Sequence, residues 1–288
     1  MSGYLMSGSR APTGLARRGR RLSDRETEQR MLRAAARMVS STGLTVSLEH
    51  ISLEEVIRQA DVSRSTVYRR WPHKDLFFSD LVRELASNAT PTILAEEQQL
   101  IQQIVTQRPD WLETAERRQA LVAELFRRLS LLDFQTLSGS PGWRTYLALH
   151  ATFQSLTDEE LKRQVQAALA QSEREHIAAV AAAWQYLAGL LGYRLRPDLG
   201  ATFEDLAALL DATMRGLVIM SLSMPELATK RTRARPFAAA RTAEWSLSAL
   251  GLASIASAFM EPDPGITWDS ERIAVVRQAL TGLALAPG

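Results

Sequence analysis

The chain has 288 residues, 46% of them hydrophobic and 23% charged, with 11 Pro, 15 Gly and a formal net charge of +2. This length and apolar content allow one large domain or a small domain joined to a larger one, and they exclude a disordered or fibrous chain. Cysteine is absent and the four histidines (His50, His73, His150, His176) are scattered, so disulfides, thiolate metal sites and a cysteine nucleophile are excluded and no cofactor is implied.

Division of the charge along the chain is more informative than its sum. Residues 1–90 carry 15 Lys and Arg against 10 Asp and Glu, whereas residues 91–288 carry 19 against 22. The basic excess is N-terminal and sharpest at Arg10, Arg17, Arg18, Arg20 and Arg21, ahead of the first acid, Asp24. Residues 1–22 read as a basic arm, either a solvated tail or a segment that seeks a polyanion. No run of about 18 apolar residues and no secretory leader is found, so a cytoplasmic protein without a membrane span is expected.

Helices are expected throughout. Ser23 and Glu26 form a capping box ahead of Met31, Ala35, Met38 and Val39, which predicts a helix over 24–41 ended by Gly43. Ser52 and Glu55 repeat the box before a two-turn helix, "LEEVIRQA". Asp61 then sits at a sharp turn, Ser63 caps a helix over 64–70, and Pro72 forces Trp71 out of helical geometry. "HKDLFFSDLVRELASNA" reads as a fourth helix with Leu76, Phe77, Leu81, Val82 and Leu85 on one side. Longer, more apolar helices follow near 92–106, 110–131, 142–155, 158–192, 202–222, 237–260 and 269–284, divided by Pro and Gly signals; no strand is predicted.

The stretch "ADVSRSTVYRRWPHKDLF" concentrates the chemistry. Val56, Ala60, Val62 and Val67 can pack two short helices across a tight turn, leaving Ser63, Arg64, Ser65, Thr66, Tyr68, Arg69 and Arg70 for other faces. Hydroxyls, a phenol and guanidiniums reach phosphates and base edges, and no Glu interrupts them between Val62 and His73. Helix, turn, helix with a cationic second helix is the geometry that enters a DNA major groove.

These residues resemble the N-terminal DNA-binding domain of TetR-family transcriptional regulators over roughly 24–88, with Val62-Ser63, Tyr68, Trp71 and Lys74 in the family's pattern. Asp61 stands where the family usually has Gly, Trp71 where it usually has Phe, and the chain between Gly43 and Val56 is about four residues longer than the common pattern. The resemblance implies an all-α protein: a helix-turn-helix domain over 23–88, then a helical effector-binding and dimerisation domain over 89–288 with an extension from about 237. It implies Arg64, Ser65, Thr66 and Arg69 as base or phosphate readers, Tyr68 and Lys74 as phosphate contacts, and Arg20 and Arg21 of the arm as minor-groove or backbone contacts. Ser63 and His73 join this set, although Ser63 serves chiefly as a cap and Trp71 as a core aromatic.

In the larger part, Leu206, Leu210, Met214, Leu217 and Val218 form an apolar stripe that reads either as a two-fold dimer interface or as a buried core face. Phe126, Trp143, Tyr146, His150, Phe153 and Trp184 are candidate pocket residues, with plain core packing the competing reading for each. Glu173 and His176 resemble half of a carboxylate-bridged metal pair, but no second copy exists and a salt-bridged turn is favoured. The function implied is a non-enzymatic, ligand-responsive repressor that binds a palindromic double-stranded DNA operator as a homodimer and is released by a small apolar effector. A helical enzyme or hydrophobic-ligand carrier is the alternative; no Ser/His/Asp set, paired carboxylate motif or phosphate loop supports it. A DNA-binding protein without an effector is a third reading.

Overall fold

The computed structural model describes residues 23–42, 52–87, 95–239 and 241–282. Twelve α-helices dominate among them, with two small antiparallel hairpin-like sheets. The all-α reading holds. Arg20 and Arg21 lie outside the described residues.

The first four helices are α1 (Asp24–Thr42), α2 (Leu53–Ala60), α3 (Arg64–Arg70) and α4 (Lys74–Ser87). The box at the start of α1 closes in both directions: Ser23 Oγ accepts from the Glu26 amide at 3.1 Å, and the Ser23 amide donates to the Glu26 carboxylate at 2.8 Å. Only half of the second box forms. Ser52 Oγ accepts from the Glu55 amide, while the Glu55 carboxylate turns to Arg58 and Gln59 on its own helix. Asp61 makes the turn in the left-handed conformation at φ 52°, ψ 52°, a region that Asp enters more readily than most residues. Val56, Ala60 and Val67 are buried in the core, where α2 and α3 both pack against α1.

The larger part contains α5 (Ala95–Gln107), α6 (Ala115–Gly139), α7 (Pro141–Ser155), α8 (Glu159–Leu191) and α9 (Phe203–Ser223), then the short α10 (Glu226–Thr229), α11 (Leu247–Phe259) and α12 (Ser270–Thr281). The predicted helix over 110–131 is cut and shifted. Pro109–Leu112 forms a 3-10 turn, Thr114 caps a fresh start, and the helix runs on to Gly139 because Phe134 and Leu137 continue its inner face. The helix expected over 237–260 is likewise half wrong, since α11 begins only at Leu247.

Strands are the second correction. β1 (Tyr193–Leu195) pairs with β4 (Met260–Pro262), and β2 (Arg231–Ala234) with β3 (Ala243–Ser246), both antiparallel. Each has three or four residues, too few for alternation to register in sequence. Gly192 precedes β1 at φ 74°, and a Cβ placed there would lie 2.9 Å from the Trp268 ring. Left-handed backbone and close ring approach both demand glycine at this corner.

A continuous apolar core joins the two parts. α4 packs along α8 and α7, α8 runs antiparallel neighbourly contacts with α9, and α11 lies between α6 and α9. By length and composition α9 is apolar enough to cross a membrane. Its inner face nevertheless buries Leu206, Leu210, Met214 and Val218 against the rest of the chain, and Asp211 and Arg215 on it make ion pairs.

Candidate nucleic-acid interface

Three helix starts build one face. Ser63 caps α3 by accepting from the Thr66 amide at 3.2 Å, and its hydroxyl also meets those of Ser65 and Thr66. Val67, wholly buried, anchors α3 inward. Arg64, Ser65, Tyr68 and Arg69 are exposed and Thr66 is half-exposed, so the cationic, hydroxyl-bearing side of α3 points away from the core. Trp71 has no exposure; it meets Phe77 edge to face at 5.2 Å and donates its indole N–H to Asp80 at 2.7 Å. That arrangement makes Trp71 a core anchor and sets the angle between α3 and α4. His73 and Lys74, at the start of α4, are exposed, and the Lys74 ammonium lies 4.9 Å from the centre of the Phe78 ring.

The basic groups pair with acids that helical spacing does not reveal. Glu54, in the first turn of α2, accepts from the Tyr68 hydroxyl at 2.8 Å and pairs with Arg64 at 2.8 Å. Asp24, at the start of α1, pairs with Arg69 at 2.5 Å. Arg70 sits 3.4 Å from both Glu28 and Asp80. Side chains 10 to 45 residues apart meet here, beyond the reach of any helical spacing rule. An open groove of about 630 Å3 runs beside α2 and α3, lined by Ser52, Glu54, Ile57, Arg58, Asp61 and Arg64.

Elsewhere the anticipated residues separate into different duties. Leu206, Leu210, Met214 and Val218 are buried within their own chain and Leu217 packs against the same core, so the stripe expected at a dimer interface is taken up internally. The opposite side of α9 is the open one: Leu209, Ile219, Met220 and Leu222 are 45–66% exposed, and Tyr186 on α8 is 47% exposed. The aromatics pack ring against ring in two groups. Phe126 stacks on Trp184 at 4.8 Å and meets Phe237 at 5.0 Å; Trp143 stacks on Tyr146 at 4.8 Å, and Tyr146 meets His150 at 4.2 Å. Phe153 belongs to α7, but its side chain lies outside the described residues.

Glu173 and His176 are not a salt-bridged surface turn. Glu173 pairs with Arg215 at 2.8 Å, Asp211 pairs with Arg215 at 2.6 Å, and His176 lies 3.3 Å from Asp211. Arg215 also donates to the Tyr146 hydroxyl. Burial opposes the Arg215 charge, yet the Glu173 and Asp211 carboxylates outweigh it and hold the guanidinium protonated. Burial likewise raises Tyr146 above the ordinary phenol range. Nearby, burial pushes the carboxyl of Glu97 well up, reinforced by Asp133, and Asp133 itself is raised by burial. Among the described residues no three His, Asp or Glu side chains are grouped to hold a metal ion.

An uncharacterised HTH-type transcriptional regulator of Mycobacterium bovis is 37% identical over 83 residues, 28% of this chain, and one of Mycobacterium tuberculosis matches equally. The chain spans 42% of the length of these curated relatives. Among solved structures, one assigned to the TetR-family transcriptional regulators of Mesorhizobium loti aligns over 83% of this chain and 99% of its own, at 18% identity and a TM-score of 0.43. The SmeT–triclosan complex aligns over 85% and 95%, at 19% identity and a TM-score of 0.41. The chain is similar to TetR-family regulators. No family model matches it.

Proposed function

We propose that this chain is a DNA-binding transcriptional regulator of the TetR type rather than a catalyst, with α3 as the helix that enters the major groove. One observation carries the reading. The exposed side of α3 presents Arg64, Ser65, Tyr68 and Arg69, while buried Val67 turns its opposite side into the core, where α3 packs against α1. A surface of guanidiniums and hydroxyls on a braced short helix suits phosphates and base edges. His73 and Lys74 extend it to the start of α4, where a helix N-terminus favours a phosphate.

A homodimer is the form we propose, through the open side of α9 and its neighbour α8. Leu209 and Met220, eleven residues apart, fall on one side of α9 with Ile219 beside Met220, and all three are exposed apolar side chains. Two-fold pairing would set two α3 helices on a palindromic site with half-sites about one turn, roughly 34 Å, apart. A dimer seated in that way excludes other proteins from the same stretch of duplex, so repression is the proposed outcome, in the cytoplasm where the duplex lies. A small, largely apolar effector is proposed to act from the helical interior, where Phe126, Trp184 and the Tyr146–Arg215 group combine ring surface with a few polar atoms.

Selection of bound sites from random duplex DNA tests the reading. Enrichment of a palindrome, with a salt slope of about −0.9 per phosphate neutralised, is expected. Failure to enrich any sequence, with no retention of duplex at low salt, would overturn it.

A further inference from the structure

Tyr68 and Arg64 are the two groups on α3 best suited to grip a phosphate, and both are already engaged. One carboxylate engages both: Glu54 Oε1 takes the Tyr68 hydroxyl at 2.8 Å and Glu54 Oε2 takes the Arg64 guanidinium at 2.8 Å. A carboxylate held by one guanidinium nitrogen and a phenol O–H occupies the position of a phosphate oxygen pair. All three side chains are substantially exposed, so the arrangement is open to exchange with solvent ions. Glu54 also sits in the first turn of α2, where the helix dipole favours its negative charge and keeps it in place.

The neighbouring acid is used differently. Glu55 is committed to Arg58 and Gln59 of its own helix and makes no bond to α3. The contacts between α2 and the reading surface of α3 therefore converge on a single acid, at the rim of the groove lined by Ser52, Glu54, Arg58 and Arg64.

We propose that Glu54 is an internal competitor for DNA phosphate: it holds Arg64 and Tyr68 aimed at one point in the free protein and must be displaced when the backbone binds, which lowers affinity for any duplex and leaves tight binding to sites that supply further contacts. The inference rests on the DNA-binding reading of α3. It makes Glu54 a penalty of the unbound state that every duplex must overcome, so it sets affinity and leaves the ratio between sequences unchanged. A carboxylate that bound bases directly would behave in the opposite way, because its removal would weaken binding.

The test compares the full-length wild type with Glu54→Gln and Glu55→Gln on a short mixed-sequence duplex, by fluorescence anisotropy across a salt series, with thermal melts verifying the fold. Glu54→Gln is expected to bind about three- to tenfold tighter, since two exposed charge-assisted contacts no longer oppose the phosphate, while Glu55→Gln stays within about twofold of wild type. In an Arg64→Ala background the gain from Glu54→Gln should shrink, as expected for groups that act on one another. Equal or weaker binding by Glu54→Gln, or an equal gain from Glu55→Gln, would overturn the proposal while leaving the regulator reading standing. If neither wild type nor any variant retains duplex at low salt, the regulator reading itself has failed and the proposal falls with it.

Discussion

The Trp71 indole N–H meets the Asp80 carboxylate at 2.7 Å beneath α3, in a site where the ring itself has no exposure. Asp80 also receives Arg83 and lies near Arg70, so a single carboxylate ties the end of α3 to α4. Replacing Trp71 by Phe, the residue more usual in the resembled family, keeps a ring against Phe77 but removes the donor and leaves a void. A loss of about 1–3 kcal/mol is expected in chemical denaturation, from the lost indole hydrogen bond and the cavity together.

On the reading face, Tyr68→Ala and Lys74→Ala should each weaken duplex binding with melting temperature unchanged, because both side chains are exposed and neither supports the core. Arg64→Ala should also relax base preference in a binding-site selection. An unchanged preference profile would assign Arg64 to the phosphate contacts.

The open side of α9 and its buried side should respond oppositely. Met220→Asp places a charge on the side of α9 that carries exposed Leu209 and Ile219, and is expected to yield monomers by light scattering with melting little altered at low concentration. Leu210→Ala on the buried side should instead cost about 2–5 kcal/mol. A dimer that survives Met220→Asp would place the interface elsewhere.

Arg215 is the hinge of the interior network, holding Glu173, Asp211 and the Tyr146 hydroxyl together across three helices. Arg215→Ala strands two partly buried carboxylates, and a loss of about 3–5 kcal/mol is expected. Substitution by Lys should recover only part of it, since one ammonium cannot reproduce the forked contacts.

Glu97 supplies the pH dependence. Its carboxyl is raised in the folded chain by burial and by Asp133, so the folded state keeps a proton that the unfolded chain releases above the ordinary carboxylate value of 4.5. The stability from this group is fully present below that value and is lost as pH rises through and beyond it. Glu97→Gln should therefore raise the melting temperature at neutral and alkaline pH, with the difference closing below about pH 4. A pH-independent difference would mean that the carboxyl is not held protonated.

Local chemistry was legible before the fold was. Ser23, Ser52 and Ser63 announced three helix starts, and Asp61 was readable as a left-handed turn, because each depends only on residues within one turn. What escaped was set by partners far along the chain. Glu54 looked like an ordinary first-turn acid until Tyr68, fourteen residues on, was seen beside it. Of the two readings of the α9 stripe, composition could not choose: Leu206, Leu210 and Met214 are buried on a helix that packs on α8 and α11, and an α11 that begins only at Leu247 could not be foreseen from small residues alone. Phe237, at φ 58°, breaks the expected helix in a conformation that a bulky ring rarely adopts, held where its ring meets Phe126 and Tyr193.

The 33 residues of α8 form one uninterrupted rod that packs against both α4 and α9. At 1.5 Å per residue it is about 50 Å long, so a tilt of roughly 5° at one end sweeps the far end through about 4 Å. That sweep exceeds the tolerance of a hydrogen bond, so a small reseating of side chains around Trp184 or Tyr186 would be felt as misregistration many ångströms away, without a hinge and without any helix melting.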